Sequence, residues 1–315
     1  MVKQVQPASY QSPFANWHQR STLRAMPLDS WPSPGDGDWL PPDDWNVASS
    51  DCARGPDGRR DQVAAGLLLG YLDFTVQLEC LCVGPACRDI GLFRLNADYC
   101  EQLAQDAFRV QCDEAFHALL CEQLASHVVR ESGVPSRYRG EHAFLREVRR
   151  LRAIAGPCVS PAQFDFCVAA VAETVITKSL LRDWRNSAIK PAVREFLQGH
   201  FRDEIRHSTF FAQTLRVVWP QWDPAVREAI APLWPALILA FVTPDVEIAR
   251  QALLRSGVPP EQACATAADY QQRAETATAQ RASYEMTLRM LSSLDVLDRQ
   301  QGVSNVQRDA ILGAM

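Results

Sequence analysis

The 315-residue sequence predicts an all-α protein, a helical bundle with additional C-terminal helices and an irregular N-terminal arm. Three observations carry that expectation. From about residue 59 onward, apolar positions recur at helical spacing almost throughout. No alternating apolar–polar run of useful length marks a strand. The periodic segments are punctuated by Gly and Pro, at Gly84-Pro85, Gly133, Ser160-Pro161, Pro191 and Pro220.

Residues 1–58 are crowded with proline and hold four of the eight tryptophans, Trp17, Trp31, Trp39 and Trp45. Proline at this density prevents long helices, yet the segment is too aromatic for a solvated tail. It reads as an arm packed over a helical domain spanning 59–315. There the first long helix is expected from about Arg60 to Val83, stopping at Gly84-Pro85, and the second from about Ala97 to Glu131, stopping at Gly133. The third opens with Ser160-Pro161-Ala162-Gln163, a capping box with proline at the first helical position, and runs to about Asp183. The fourth starts at Pro191 and ends before Pro220. Shorter helices are expected at 224–242 and 244–255, then a long one at 260–299.

Composition excludes several function classes. Hydrophobic residues make up 47% of the chain, enough for a sizeable core, and the formal charge of −5 disfavours nucleic-acid or anionic-membrane partners. The longest apolar runs, 63–72 and 235–242, fall short of the roughly 20 residues that cross a bilayer. The opening MVKQVQPASYQSPF lacks the apolar segment of a secretory signal. A soluble, cytoplasmic protein is expected. A chain this long does not need a disulfide framework for its ten cysteines. Cys80, Cys82, Cys112, Cys121 and Cys167 lie in apolar helical stretches and are expected as buried, reduced thiols. The group Cys80, Cys82, Cys87 lacks the paired C-x-x-C spacing of a zinc site.

The chemistry is carried by a repeated pattern. The second helix contains Glu114-x-x-His117 and the fourth contains Glu204-x-x-His207; with 15 Glu and 6 His, chance supplies roughly 0.3 such matches. Residues three apart share a helix face, so each pair aims a carboxylate and an imidazole at one point. Two such helices, with a lone glutamate from each of two others, are the recipe for a di-iron or di-manganese site in a ferritin-like four-helix bundle. The lone glutamates are expected to be Glu79, on a stripe with Leu68, Leu72, Val76 and Val83, and Glu173, on a stripe with Phe166, Ala169, Ala170 and Ile176. A glutamate on a buried face is costly unless its charge is offset. Taken singly, each would read as an ordinary helix-edge residue; four helices each supplying one missing piece reverse that. Glu79, Glu114, Glu173 and Glu204 together balance two divalent ions, and oxygen ligands with imidazole suit iron or manganese better than zinc or copper.

His200 lies four residues before Glu204 and seven before His207, within about 60° of both around a helix, so it is expected as a further metal ligand rather than a core histidine. Asp113 and Asp203 each precede a ligand glutamate and lie four residues before a histidine. They are expected to hold imidazole N–H groups, with an ordinary helix-face salt bridge as the alternative.

On these residues the sequence resembles the p-aminobenzoate (arylamine) N-oxygenases. The matching elements are Leu78-Glu79 with Val83-Gly84-Pro85, Asp113-Glu114-x-x-His117, Ala172-Glu173-Thr174 and His200-x-x-Asp203-Glu204-x-x-His207, with intervals of 35 from Glu79 to Glu114, 56 from His117 to Glu173 and 27 from Glu173 to His200. The resemblance covers about 75–215. It implies two iron ions (Fe2+/Fe3+, with manganese as the other candidate), O2 as co-substrate, and oxidation of a primary amine to the hydroxylamine and onward to nitroso or nitro products. It also implies an external electron donor, either a protein or a small reductant, because the chain shows no flavin, Rossmann or iron–sulfur signature. The amine is either a small molecule or carrier-bound, and the resemblance further implies a homodimer.

For an amine bearing a carboxylate, Arg273, Arg281, Arg289 and Arg299 are candidate partners, each with the alternative of a solvated surface residue. The run Arg146, Arg149, Arg150, Arg152 could dock an acidic carrier, although such runs are usually solvated faces. Two rivals differ in class. A radical-generating subunit like that of ribonucleotide reductase would need a tyrosine near the metals, for which Tyr71 is the candidate, and His200 weighs against it. A non-enzymatic iron-binding, ferritin-like protein would need neither the arm nor the C-terminal helices.

Overall fold

The computed structural model describes residues 10–25, 35–41, 47–55, 58–134, 140–276 and 279–294, of which 177–184, 273–276 and 279–283 are described by backbone alone. Two short helices, α1 (Trp17–Arg20) and α2 (Thr22–Ala25), precede single 3-10 turns at Val47–Ser49 and Asp51–Ala53. The long elements are α3 (Arg59–Leu78), a π-helical turn (Glu79–Val83), α4 (Gly84–Gly91), α5 (Glu101–Ser132), α6 (Ala143–Ala155), α7 (Pro161–Trp184) and α8 (Pro191–Val218). The chain continues through α9 (Pro224–Ile230), α10 (Trp234–Val242), α11 (Val246–Arg255), α12 (Pro260–Thr276) and α13 (Ala279–Ser292). No strand occurs among the described residues; a single parallel bridge joins Asp38 to Ile189. The fold is all-α.

Four rods make the bundle. The α3–α4 rod packs on α5 and α7, and α8 packs on α7 and α5, which closes the ring. The C-terminal helices wrap this core: α11 lies on α3, α12 on α11, α13 on α7, and α10 against α6 and α7. The seat of α11 depends on two small residues. A Cβ added at Gly70 would sit 2.2 Å from Ile248 Cγ2, and one at Gly66 3.1 Å from Ala252 Cβ. Thr174 beside Glu173 ties α13 to α7, its hydroxyl 2.7 Å from that of Thr287.

Local signals explain most boundaries. Ser160 and Gln163 form a reciprocal capping box at α7: Gln163 N–H donates to Ser160 Oγ at 3.3 Å and Ser160 N–H to Gln163 Oε1 at 3.1 Å. Gly133, at φ 68°, ends α5 in the left-handed conformation that glycine adopts without strain.

Several expectations need correction. The first helix does not stop at Gly84-Pro85 but continues to Gly91. At the π turn the Gly84 N–H bonds the Glu79 carbonyl, which places Pro85 in the first turn of the next segment, where a missing N–H costs little. The second helix starts at Glu101 rather than Ala97, because Phe93 and Asn96 at φ 56° and 52° turn the chain before it. The stretch after Gly133, which carried no helix in the sequence reading, holds α6; it buries Phe144, Val148, Leu151 and Ala155 along one face. The expected helix at 224–242 is two helices separated by a 3-10 turn at Ala231–Leu233, in a stretch punctuated by Pro232 and Pro235. The expected 260–299 helix is described as α12 and α13, with 277–278 and 295–299 outside the described residues.

Among the described residues, two stretches, Arg59–Gly91 and Pro224–Arg255, are long and apolar enough to cross a membrane by length and composition alone. The first is the wall of the bundle and contains the buried Glu79; the second contributes Trp234, Leu237, Ile238 and Leu253 to the same core. All ten cysteines are free. Cys82, Cys87, Cys121 and Cys167 are buried, whereas Cys80 and Cys112, expected inside, face outward, because their apolar stretches each present one side to solvent.

Candidate metal centre

The π turn, α5, α7 and α8 bring seven side chains to one point inside the bundle. Glu79, Glu114, His117, Glu173, His200, Glu204 and His207 are each at most 2% exposed. Glu114 lies between two histidines, with Oε2 2.9 Å from His117 Nδ1 and Oε1 2.7 Å from His207 Nδ1. Glu204 Oε1 faces all three imidazoles, 3.1 Å from His200 Nε2, 3.4 Å from His207 Nδ1 and 3.6 Å from His117 Nδ1. Glu79 Oε1 lies 3.7 Å from His200 Nε2, and Glu173 Oε2 3.7 Å from His207 Nδ1.

Three overlapping groups have donor atoms within 4.8 Å of one another: Glu79, His117, His200 and Glu204; Glu114, His117, Glu204 and His207; and Glu79, Glu114 and Glu173. Four carboxylates and three imidazoles, with no sulfur among them, form a donor set suited to iron or manganese. Glu79 Oε2 is buried without a hydrogen-bond partner. An ion between these groups would remove that cost.

The imidazoles are held from behind. His207 Nε2 lies 3.2 Å from Asp113 Oδ2, and His117 Nε2 3.1 Å from Asp203 Oδ2. The pairing is crossed: each aspartate grips the histidine of the opposite helix, although a histidine lies four residues further along its own. With Nε2–H donating to carboxylate, both rings turn Nδ1 toward the glutamates. Asp203 also pairs with Arg206 on its own helix.

Burial and mutual charge shift the titrating groups of the centre in opposite directions. Burial, then the neighbouring Glu114, Glu173 and Glu204 carboxylates, push Glu79 well above the carboxylate range, and burial with Glu204 and Glu114 does the same to Glu173. Burial also opposes charge on Glu114, but the facing histidines outweigh it and hold this carboxyl at about 2; Glu204 is likewise held well below its usual value. Burial opposes the charged form of His117, yet Asp203 and Glu114 raise it to about 10, and Glu114 with Glu204 raises His207 well above its usual value. Burial and His117 lower His200.

Sequence reasoning missed the arm's part in this site. The Trp17 indole N–H donates to both Asp113 oxygens at 3.0 and 2.9 Å, Ser21 Oγ donates to Asp113, and the Thr22 N–H donates to Asp203 at 3.1 Å. The tryptophan content of the arm was a signal that could have found it. Arg289, a candidate partner for substrate, is exposed and pairs with Glu285. The side chains of Arg273 and Arg281, and all of Arg299, lie outside the described residues. The 146–152 arginines do not form a free cationic face: Arg146 donates to the Glu141 carbonyl, and Arg149, Arg150 and Arg152 pair with Glu141, Glu147 and Asp165. Tyr71 is half-buried on α3, eight residues before Glu79.

The family model for p-aminobenzoate N-oxygenase AurF matches residues 9–295. A 4-aminobenzoate N-oxygenase of Streptomyces thioluteus is 26% identical over 205 residues, which is 64% of this chain and 60% of that protein. This alignment therefore spans less than two thirds of the relative's length. With a family match running from the arm to the last described helix, the chain belongs to the p-aminobenzoate N-oxygenase AurF family.

Proposed function

We infer that the protein is a non-haem di-iron N-oxygenase that uses O2 to oxidise a primary amine, arylamine or amino-acid-derived, to the hydroxylamine and, with repeated rounds, to nitroso or nitro products. The observation that carries this reading is the meeting of Glu79, Glu114, His117, Glu173, His200, Glu204 and His207 around one buried point. These seven would hold two iron ions. Glu114 and Glu204 each face more than one histidine, Glu79 lies beside His200, and Glu173 beside His207, so carboxylate and imidazole would be within reach of both ions. Bound iron supplies the oxygen and redox chemistry, with manganese as the other metal the donor set suits.

The chain's own residues hold that chemistry in place. Four glutamates would offset the charge of two divalent ions in a buried core. Asp113 and Asp203 orient the imidazoles. His200 adds a third nitrogen donor beside Glu79, which distinguishes this centre from a plain two-histidine bundle site.

The relative named above is a 4-aminobenzoate N-oxygenase, and an amine carrying an acid group is the first substrate class to test. Electrons would come from a partner protein or a small reductant. In this reading residues 59–315 form one helical di-iron domain with the 1–58 arm laid over it, working as a cytoplasmic homodimer.

The test is to load the purified protein with Fe2+ under reducing, oxygen-free conditions and then add O2 with a panel of amines that includes 4-aminobenzoate. Mass spectrometry should find a product heavier by one oxygen, carrying label from 18O2. Oxidised iron with no amine product would favour the iron-binding rival, and a stable tyrosyl radical signal the radical-generating one.

A further inference from the structure

We propose that Trp17, Ser21 and Thr22 of the N-terminal arm are positioning residues of the metal centre. They fix the two aspartates that hold the outer edges of its histidines. The inference rests on reading the seven converging donors as an ion-binding site.

The contacts form two short chains that end on one segment of the arm. The first runs from the Trp17 indole N–H and the Ser21 hydroxyl to Asp113, and from Asp113 Oδ2 to His207 Nε2 at 3.2 Å. The second runs from the Thr22 N–H to Asp203 at 3.1 Å, and from Asp203 Oδ2 to His117 Nε2 at 3.1 Å. Thr22 Oγ1 also donates to the Gly199 carbonyl at 3.1 Å, which pins the segment to α8 beside His200.

Asp113 and Asp203 are fully buried, so protein donors rather than water set the direction of each carboxylate. Among the described residues, the donors to Asp113 other than His207 come from the arm. With these removed, a buried anion would keep one partner and be free to turn, and the imidazole would turn with it.

The rest of the arm seats this segment. Phe14 is buried with its ring 6.2 Å from that of His207 and 6.0 Å from that of Phe210. The Tyr10 hydroxyl donates to Asp106 at 2.7 Å, two helical turns before Asp113 on α5. The arm and the ions therefore act on the same two histidines from opposite sides. Linkage makes the effect mutual: ions that hold the rings in place strengthen docking of the arm, and a docked arm strengthens binding of the ions.

The test uses Co2+ as the probe, titrated without oxygen into the full chain and into Trp17→Phe, Ser21→Ala and Thr22→Pro, with visible absorption reporting ligand geometry and circular dichroism reporting helicity. Trp17→Phe keeps the ring and removes the N–H. Thr22→Pro removes the backbone donor at the first position of α2, where proline fits a helix. Ser21→Ala removes a single hydroxyl and is the variant least able to disturb folding.

The expected result is two Co2+ per wild-type chain, with affinity for at least one ion falling about 10- to 100-fold in the variants and an altered absorption band at unchanged helicity. In the wild type, Co2+ should also slow tryptic cleavage after the exposed Arg20, between Trp17 and Ser21. Wild-type affinity and band shape in all three variants would overturn the arm's role and leave the centre standing. A wild-type chain that binds no Co2+ would overturn the centre and the arm's role with it.

Discussion

Loading the ion-free protein with two divalent metals should expel protons, and the structure bounds the number. His117, raised to about 10, and His207, raised well above its usual value, carry a proton at neutral pH that a metal-bound imidazole must give up. Glu79 and Glu173, pushed up by burial and by each other's neighbours, add a proton each to the extent that they stay neutral. Glu114 and Glu204 are already ionised and add none. Release should therefore be at least about two protons per chain and approach about four. Four is also the value that leaves the core's charge unchanged when two divalent ions enter.

The assay is calorimetric titration with Mn2+ at neutral pH in two buffers of different ionisation enthalpy, whose difference counts protons directly. Affinity should fall steeply as pH drops, because each expelled proton competes with the metal. The sign for folding runs the other way in the ion-free protein. Groups with raised values stabilise the fold at low pH and lose that contribution as pH rises, for His117 between its ordinary 6.5 and about 10. Glu114, held at about 2, contributes above its ordinary 4.5 and loses its contribution as pH falls toward 2. The ion-free protein should thus melt at lower temperature as pH climbs from 7 to 10, and the loaded protein should not share that loss. Release of less than one proton per chain, with two ions bound, would refute this account of how the empty core is held neutral.

Three further predictions address the scaffold. Asp203→Asn should weaken metal binding about 10- to 100-fold at unchanged helicity, since an amide cannot accept from the His117 ring, the Thr22 N–H and Arg206 together; equilibrium dialysis measures it. Gly70→Ala should cost about 1–3 kcal/mol in a urea melt, because the added methyl meets Ile248 and must push α11 off α3. Asp245→Ala should cost about 1–3 kcal/mol by the same measurement, since this carboxylate accepts from Glu247 N at 3.0 Å to cap α11 and from Ala143 N at 2.7 Å at the start of α6.

The bundle and its seven converging donors were legible in the sequence because both are periodic. Glu-x-x-His is a helical spacing, and Glu79 and Glu173 stand out as charges on apolar stripes. What stayed hidden depends on contacts between segments distant in sequence. The crossed grip of Asp113 on His207 joins residues 94 apart, and Trp17 reaches Asp113 across 96, so no local pattern announces either. The run through Gly84-Pro85 was misread because proline usually ends a helix, whereas a π turn shifts the bonding register and absorbs it. The α6 helix was obscured by its arginines, which drew a reading as a charged face and concealed the buried Phe144, Val148, Leu151 stripe.

Counting metal in the purified chain tests the central claim most directly. After oxygen-free loading with Fe2+ and gel filtration, elemental analysis should find two irons per wild-type chain. Glu114→Ala, which removes the carboxylate facing both His117 and His207, should lose them at unchanged helicity. Wild-type protein without iron, or a Glu114→Ala variant that retains both ions, would contradict the account.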